Sequence, residues 1–398
     1  MKVLLCGVIA GDNFGGPSLL HGVEQLIHKI DDKAEIIYYQ FTKLRETATR
    51  DMNFTIHQIP YLSNTPRILI DAFKYKMGFK PHDEARLRFL EDIRTADVVA
   101  DLLGICFCDN LDTGKTGLLK AIKGVIGRFS VSFIARMYGT RTVKCPASYG
   151  PIESRSNRLQ ARFAARWIFD VIIAREVESR GQMVDRAGIK KDIPVSPDLA
   201  NLMSCPVPVA EDDKYIGISV SFQIERQWRA KEPYIDCMVR LINYMVDVLQ
   251  KKVYLIPNEY PESQQCNDID MAAEICRLVD SPANVVVPDV KEMCSTEIKS
   301  LIAGSEVLVA SRYHSCVAGL SCGVPTLVLG WHYKYEELLR LYGQDRWLIS
   351  NHDCSSQKLL NLFKEFWEAA PAERETIRSR QRGIHDQLMK IGGIMFQK

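Results

Sequence analysis

Short runs of Val, Ile and Leu alternate along this chain with longer stretches in which apolar residues recur every three or four positions. The first pattern marks strands buried on both faces and the second marks amphipathic helices, so their alternation predicts parallel sheets flanked by helices. In the first half the predicted strands are 3–9, 36–40, 98–103, 143–149 and 171–174. In the second half they are 215–220, 253–257, 285–287, 307–310 and 326–329, with helices over 233–250, 268–279, 294–303 and 313–322. Between the halves, 196–213 carries three prolines and an acidic end, which is linker composition. Beyond 355 the chain is charged with helical period, which predicts terminal helices, one of them returning to the first domain. The expected organisation is an N-terminal Rossmann-like domain over 1–200, a linker over 201–213, a second Rossmann-like domain over 214–350 and C-terminal helices over 351–398.

Length supports this division, because 398 residues exceed what one hydrophobic core organises. Composition, 46% hydrophobic and 25% charged, is that of a soluble globular protein. Twelve cysteines are scattered, several within apolar runs (Cys6, Cys106, Cys316, Cys322). The opening MKVLLCGVIAG is too short an apolar run for a signal peptide. Reduced thiols and a cytoplasmic location are therefore expected. No stretch approaches the roughly 18 apolar residues of a spanning helix.

A net charge of +2 argues against nucleic acid as a partner. It conceals a basic stretch over 115–166, with eleven Lys or Arg against Glu153 alone. There Lys120, Lys123, Arg128 and Arg136 interleave with Leu119, Ile122, Val125, Phe129, Val131 and Ile134. Two readings stay open: an interfacial helix in peripheral contact with an anionic membrane, or apolar residues packed into the first domain beneath a solvated basic face.

Doubly wound domains bind ligands beyond the carboxyl ends of their strands, and two such domains facing each other make that place a cleft. The candidate chemistry falls there. Ser311–Gly330 follows a predicted strand and enters a helix of small residues, which puts Arg312 and His314 at a helix N-terminus, where backbone N–H groups and the helix dipole favour an anion. After the first strand comes a glycine-rich turn with Asn13, Gly15 and Gly16; it lacks the middle glycine of the dinucleotide fingerprint, so no nicotinamide cofactor is inferred. Arg175 ends another strand and Glu176 opens a helix. Asp198 follows Pro197 between the halves, as an acid or base in the cleft or as a helix cap. Trp331, His332 and Lys334 stand together after the last predicted strand, a set able to stack on a sugar or close over an anion. No run of Cys or His has metal-ligand spacing, so no metal is expected.

In order and spacing, Asn13-Phe14-Gly15-Gly16, Arg175-Glu176 with Ser179, Pro197-Asp198, and Arg312-x-His314 followed by Gly323-x-Pro325 and Lys334 resemble the polysaccharide pyruvyltransferase family, from Gly11 to about Gly343. The resemblance implies a glycosyltransferase B-like pair of Rossmann domains and phosphoenolpyruvate as co-substrate, with no further cofactor. Pyruvate would be transferred as a ketal to a sugar of a surface polysaccharide or its lipid-linked precursor. By that likeness Arg312 and His314 belong to the donor site. Many relatives carry a Gly-Gly-Asp-like loop where this chain has Asp101-Leu102-Leu103-Gly104. Arg312 with His314 and Arg175 with Lys334 would meet the two anionic ends of the donor. His314 or Asp198 would serve as acid or base, while Asn13, Gly15, Gly16, Trp331 and His332 would form the acceptor side of the cleft. Two other classes compete. One is a nucleotide-sugar glycosyltransferase of the same fold, with Glu336 or Glu337 on a ribose; the other is a non-catalytic glycan-pathway protein lacking the anion site.

Overall fold

The computed structural model describes residues 1–42, 44–59, 65–109, 118–204, 214–261 and 267–397. The first sheet holds β1 (Lys2–Cys6), β2 (Glu35–Gln40), β3 (Thr55–Gln58), β4 (Val98–Asp101), β5 (Ile105–Cys106), β6 (Arg141–Tyr149) and β7 (Val171–Ala174). The second holds β8 (Tyr215–Ser219), β9 (Val253–Leu255), β10 (Val285–Val286), β11 (Ser305–Ala310), β12 (Thr326–Gly330) and β13 (Leu348–Ser350). Pairing between these strands is parallel throughout. With the two-residue β5 set aside, the sheets run β3-β2-β1-β4-β6-β7 and β10-β9-β8-β11-β12-β13. Both are the doubly wound order, whose winding reverses between β1 and β4 and between β8 and β11. The chain is thus two Rossmann-like domains facing a cleft.

Three strands escape the hydrophobic pattern for a common reason. β3 and β13 lie at sheet edges and are only partly buried, and β5 makes just two pairs, so none needs a continuous apolar run. β1 stops at Cys6 rather than running to residue 9. Gly7 takes φ +85°, and a Cβ there would meet the Asp101 carboxylate at 2.8 Å, so the chain turns away over a buried acid. Asp101 in turn holds the buried Lys144 at 3.0 Å.

The segment with linker composition is not a loose tether where it is described. Ser196 N–H bonds the Ala174 carbonyl at 2.9 Å, and Leu199–Leu202 forms a 3-10 turn against helix Gly15–Ile30. Gly22 of that helix makes the approach possible, since a Cβ would fall 2.0 Å from the Leu199 carbonyl oxygen. Residues 205–213, the rest of the predicted linker, lie outside the described residues. Instead of several terminal helices, one continuous helix, Ser356–Phe396, spans about 60 Å. Leu359, Phe363 and Phe366 pack into the second domain, while Ile384, Leu388, Ile391 and Met395 join a core shared with Leu19, Val23 and Leu26 of the first. Gly392 lets the two helices cross closely, its Cβ position lying 2.6 Å from Leu26 Cδ1.

The basic stretch forms helices Leu118–Arg128 and Ser130–Tyr138, broken at Phe129; Lys115 lies outside the described residues. Val125, Phe129, Val131 and Ile134 are buried in the first domain, Lys144 is buried against Asp101, and Arg136 is paired with Asp170. Those four apolar residues are therefore used by the core, whereas Leu119 of the same stretch is 83% exposed. Among the described cysteines Cys6, Cys145, Cys237, Cys276, Cys294, Cys316 and Cys354 are free. Among the described residues no helix is long and apolar enough to cross a membrane, and no group of three or more His, Cys, Asp or Glu could hold a metal.

Candidate active site

A cavity of 470 Å³ opens between the carboxyl edges of the two sheets, within the usual range for small-molecule sites. Gly7, Asn13, Gly15 and Gly16 line it from the loop after β1, and Leu103 and Gly104 from the loop after β4. Arg175 enters after β7, Ser221 after β8, and Asn258 with Glu259 after β9. The wall opposite carries Arg312, Tyr313 and His314 after β11, and Trp331, Lys334 and Tyr335 after β12. Direct bonds hold the domains together around it. Phe14 N–H reaches the Asn258 carbonyl at 2.9 Å and Tyr260 N–H the Asp12 carbonyl at 2.8 Å. On the far side Tyr333 Oη donates to the Tyr149 carbonyl at 2.9 Å.

Gly15 opens helix Gly15–Ile30, and a Cβ on it would lie 2.5 Å from His314 Nδ1. The glycine-rich turn thus admits a side chain of the other domain. Gly16 is needed by the turn itself, because a Cβ would fall 1.9 Å from the Ile9 carbonyl oxygen; its N–H bonds Asn13 Oδ1 at 2.8 Å. His314 sits in the first turn of helix Tyr313–Ser321, with Nε2 buried, lacking a hydrogen bond among the described residues and 4.0 Å from Asp198 Oδ2. Burial first, with Arg175 and Lys334 adding to it against the pull of Asp198, lowers His314 to about 4. It is a neutral imidazole at pH 7, and an Nε2–H facing Asp198 would leave Nδ1 as a lone-pair base on the Gly15 side.

In both arginines each of the three guanidinium nitrogens donates to a protein acceptor, which uses three of the five N–H groups. Arg175 donates to Glu176 at 2.9 Å, Asp198 at 2.5 Å and Ser148 Oγ at 2.6 Å, and lies 4.3 Å from the centre of the Tyr313 ring. Arg312 holds the buried Asp268 with two bonds, at 2.9 and 2.7 Å, and its third nitrogen reaches Glu259. Arg312 therefore stands in an ion-pair network, where an incoming anion competes with Glu259, the more exposed partner.

Lys334 differs. Its ammonium lies 5.1, 5.3 and 5.4 Å from the ring centres of Trp331, Tyr313 and Tyr335, and among the described residues it makes no hydrogen bond or ion pair. Burial, then the neighbouring Arg175 and Arg312, lower it from 10.5 to about 8 despite the pull of Glu176. It is a desolvated cation facing the cavity, able to hold an anion or release a proton near neutral pH.

A family model described as polysaccharide pyruvyl transferase matches residues 13–333. The chain belongs to the polysaccharide pyruvyl transferase family. A search of curated proteins finds no match. Solved structures with the same architecture include a UDP-GlcNAc 2-epimerase from Neisseria meningitidis bound to UDP-GlcNAc, 12% identical with a TM-score of 0.55 and all of both chains covered. Another is the UDP-GlcNAc 2-epimerase of Methanocaldococcus jannaschii, 14% identical with a TM-score of 0.55 and 92% of each chain covered. A third, Anabaena Alr3699/HepE in complex with UDP and glucose, is 14% identical with a TM-score of 0.52, covering all of this chain and 95% of the other. At such identities the likeness establishes the glycosyltransferase B-like fold alone.

In this pyruvyl transferase family member the cavity gathers Asn13, Gly15, Gly16, Arg175, Arg312, His314, Trp331 and Lys334. Asp198 lies behind it, fully buried, accepting from Arg175 and from Ala200 N–H at 2.8 Å as the cap of the 3-10 turn. Burial works against its charge, but Arg175 and His314 hold its carboxyl below the ordinary range, so it has no proton to give at pH 7. His332 is not among the cavity-lining residues; it caps helix Tyr333–Leu341, its Nδ1 accepting Lys334 N–H at 3.4 Å. Glu336 and Glu337 pair with Arg340 at 2.6 and 3.1 Å, and neither lines the cavity. Sequence reasoning missed Tyr313, Tyr335, Asn258, Glu259 and Asp268. The two tyrosines had a signal, standing beside residues already singled out. The acids had none, because they lie 53 and 44 positions from Arg312.

Proposed function

We propose that this protein transfers the pyruvyl group of phosphoenolpyruvate to two hydroxyls of one saccharide residue, forming a ketal and releasing phosphate. The observation that carries the reading is Lys334, a buried ammonium without an acidic partner among the described residues, caged by aromatic rings in the cavity of a pyruvyl transferase family member. Aromatic faces stabilise the cation while leaving its N–H groups for an incoming carboxylate or phosphate. The first turn of helix Tyr313–Ser321, whose cap residue Arg312 makes no side-chain cap bond, favours an anion at the same place.

The reaction balances as follows. A proton added to the methylene carbon develops cationic character at the neighbouring carbon, and one sugar hydroxyl adds there and loses its proton. Phosphate departs with its bonding electrons, and a second hydroxyl closes on the same carbon and loses its proton in turn. Lys334, lowered to about 8, is the donor of the first proton; neutral His314, beside Asp198, accepts the proton of one hydroxyl, and the departing phosphate takes the proton of the other. These assignments replace Asp198 as acid: its buried pairing with Arg175 makes it an orienting group. Trp331 and the rim of Asn13, Ser221 and Asn258 offer one ring face and hydrogen-bonding groups for a saccharide. The test is phosphate release from phosphoenolpyruvate with a panel of free and lipid-linked saccharides. Consumption of a nucleotide sugar with nucleoside diphosphate release, and no turnover of phosphoenolpyruvate, would establish the glycosyltransferase reading instead.

A further inference from the structure

Helix Thr65–Lys76 has two apolar sides. Ile68 and Ala72 are buried in the first domain, as a helix against a sheet requires. Ile70, Phe73, Met77 and Phe79, on the helix and the turn that follows it, point the other way and are 54%, 60%, 64% and 68% exposed. Four large apolar side chains so exposed within ten residues are a patch rather than the scattered exposure normal for a surface. Its rim is basic: Arg67, Lys74, Lys76 and Lys80 are exposed around it. Arg67, Lys74, Phe79 and Lys80 also line a hollow of 700 Å³ together with Asp71, Pro81, His82, Asp83 and Arg86. The two carboxylates of that hollow are engaged within the fold, Asp71 with the Arg86 guanidinium at 3.1 Å and Asp83 with the Arg86 N–H at 2.9 Å. Among the described residues Arg67, Lys74 and Lys80 form no ion pair.

We propose that this face docks on the anionic surface of a lipid bilayer, with Ile70, Phe73, Met77 and Phe79 entering the interface and Arg67, Lys74 and Lys80 meeting phosphate headgroups. Apolar insertion flanked by cations of one sign is the chemistry such a surface selects. A protein partner of ordinary composition would be met by charges of both signs. The helix that carries the patch reaches toward the reaction site by its other side. Ile68, on the buried side of the same helix, lines a small cavity together with Gly7, and Gly7 lines the main cavity too. An enzyme held in this way would meet acceptors carried on lipids; that extension rests on the pyruvyl-transfer reading, whereas bilayer binding does not.

Cosedimentation of the full chain with phosphatidylcholine vesicles, with and without phosphatidylglycerol, at low and high salt, tests the docking. Binding is expected only with phosphatidylglycerol and should weaken with salt. Phe73→Ser with Phe79→Ser, and separately Lys74→Glu with Lys80→Glu, should each weaken it roughly tenfold or more while thermal unfolding stays at the wild-type temperature. Equal recovery of wild type in the supernatant with both vesicle types overturns the proposal, as does wild-type binding by both double variants. Self-association abolished by Phe73→Ser with Phe79→Ser, without vesicle binding, assigns the patch to a protein interface and overturns it too. Phosphate release with a water-soluble acceptor is read separately, so failure of docking and failure of the reaction are told apart.

Discussion

Replacing Lys334 by Met separates the binding role of the caged ammonium from its cost to the fold. Lowering its pKa from 10.5 to about 8 corresponds to roughly 3 kcal/mol against the charged form. Below pH 8 the native state carries this buried charge. Between pH 8 and 10.5 the unfolded state binds the extra proton, so the group's contribution to stability rises with pH across that window. Lys334→Met removes the charge but keeps most of the packing among Trp331, Tyr313 and Tyr335. The variant should be more stable at pH 7 by about 1–3 kcal/mol, the upper end reduced by the lost cation–π contacts. Its affinity for phosphoenolpyruvate should fall about ten- to a hundredfold, the worth of a charge-assisted hydrogen bond. In the wild type, donor affinity should decline about tenfold per pH unit above 8, as the protonated form becomes scarce, and the variant should show no such decline. Titration calorimetry from pH 6.5 to 9.5, with thermal unfolding of both proteins, reads all three. Wild-type affinity in Lys334→Met, or a wild-type affinity that stays level through pH 8, would refute the assignment.

Gly15→Ala should cost at least about tenfold in turnover with little change in unfolding, since a Cβ 2.5 Å from His314 Nδ1 forces the imidazole aside; wild-type turnover would show that His314 has no fixed role. Asp198→Asn should destabilise the protein by about 3–5 kcal/mol, because Arg175 loses a buried counter-charge, and unchanged urea denaturation would contradict this. Glu259→Gln should tighten donor binding severalfold by loosening the hold on Arg312; weaker binding would mean that the ion-pair network is needed as it stands. His21 is raised to about 9, because Asp51 at 3.2 Å and Glu24 at 3.5 Å outweigh its burial. Its stabilisation is complete below pH 6.5 and is lost as pH rises through 9, so His21→Gln should flatten the stability profile in that window. Because Asp51 also accepts from Thr296 N–H at 3.0 Å, the affected contact joins the two domains. An unaltered profile in the variant would exclude His21 as its source.

How far the site was legible depends on how local each determinant is. Runs such as Val143, Cys145 and Ala147 within β6, or Val307–Ala310 within β11, announce buried strands, because a residue's burial on both faces of a sheet is written in its own side chain. Ligand-binding loops follow those strands by the rule of the doubly wound fold, so Arg175, Arg312, His314, Trp331 and Lys334 could be placed at the cleft from order alone. The family motifs carried the same information.

What each of those residues does there was decided by partners that the tertiary structure supplies. Asp268 and Glu259 hold Arg312, Asp198 and Glu176 hold Arg175, and His332 turns aside to cap a helix. Lys334 remains a cation whose ammonium makes no hydrogen bond or ion pair among the described residues and lies among aromatic rings. Local sequence determined the elements and the loops, since propensity and burial act over a few neighbouring positions. Charge pairing and desolvation depend on groups brought within about 4 Å across tens of residues, so the protonation states and the division of roles between Lys334, His314 and Asp198 arose only when the two domains closed on each other.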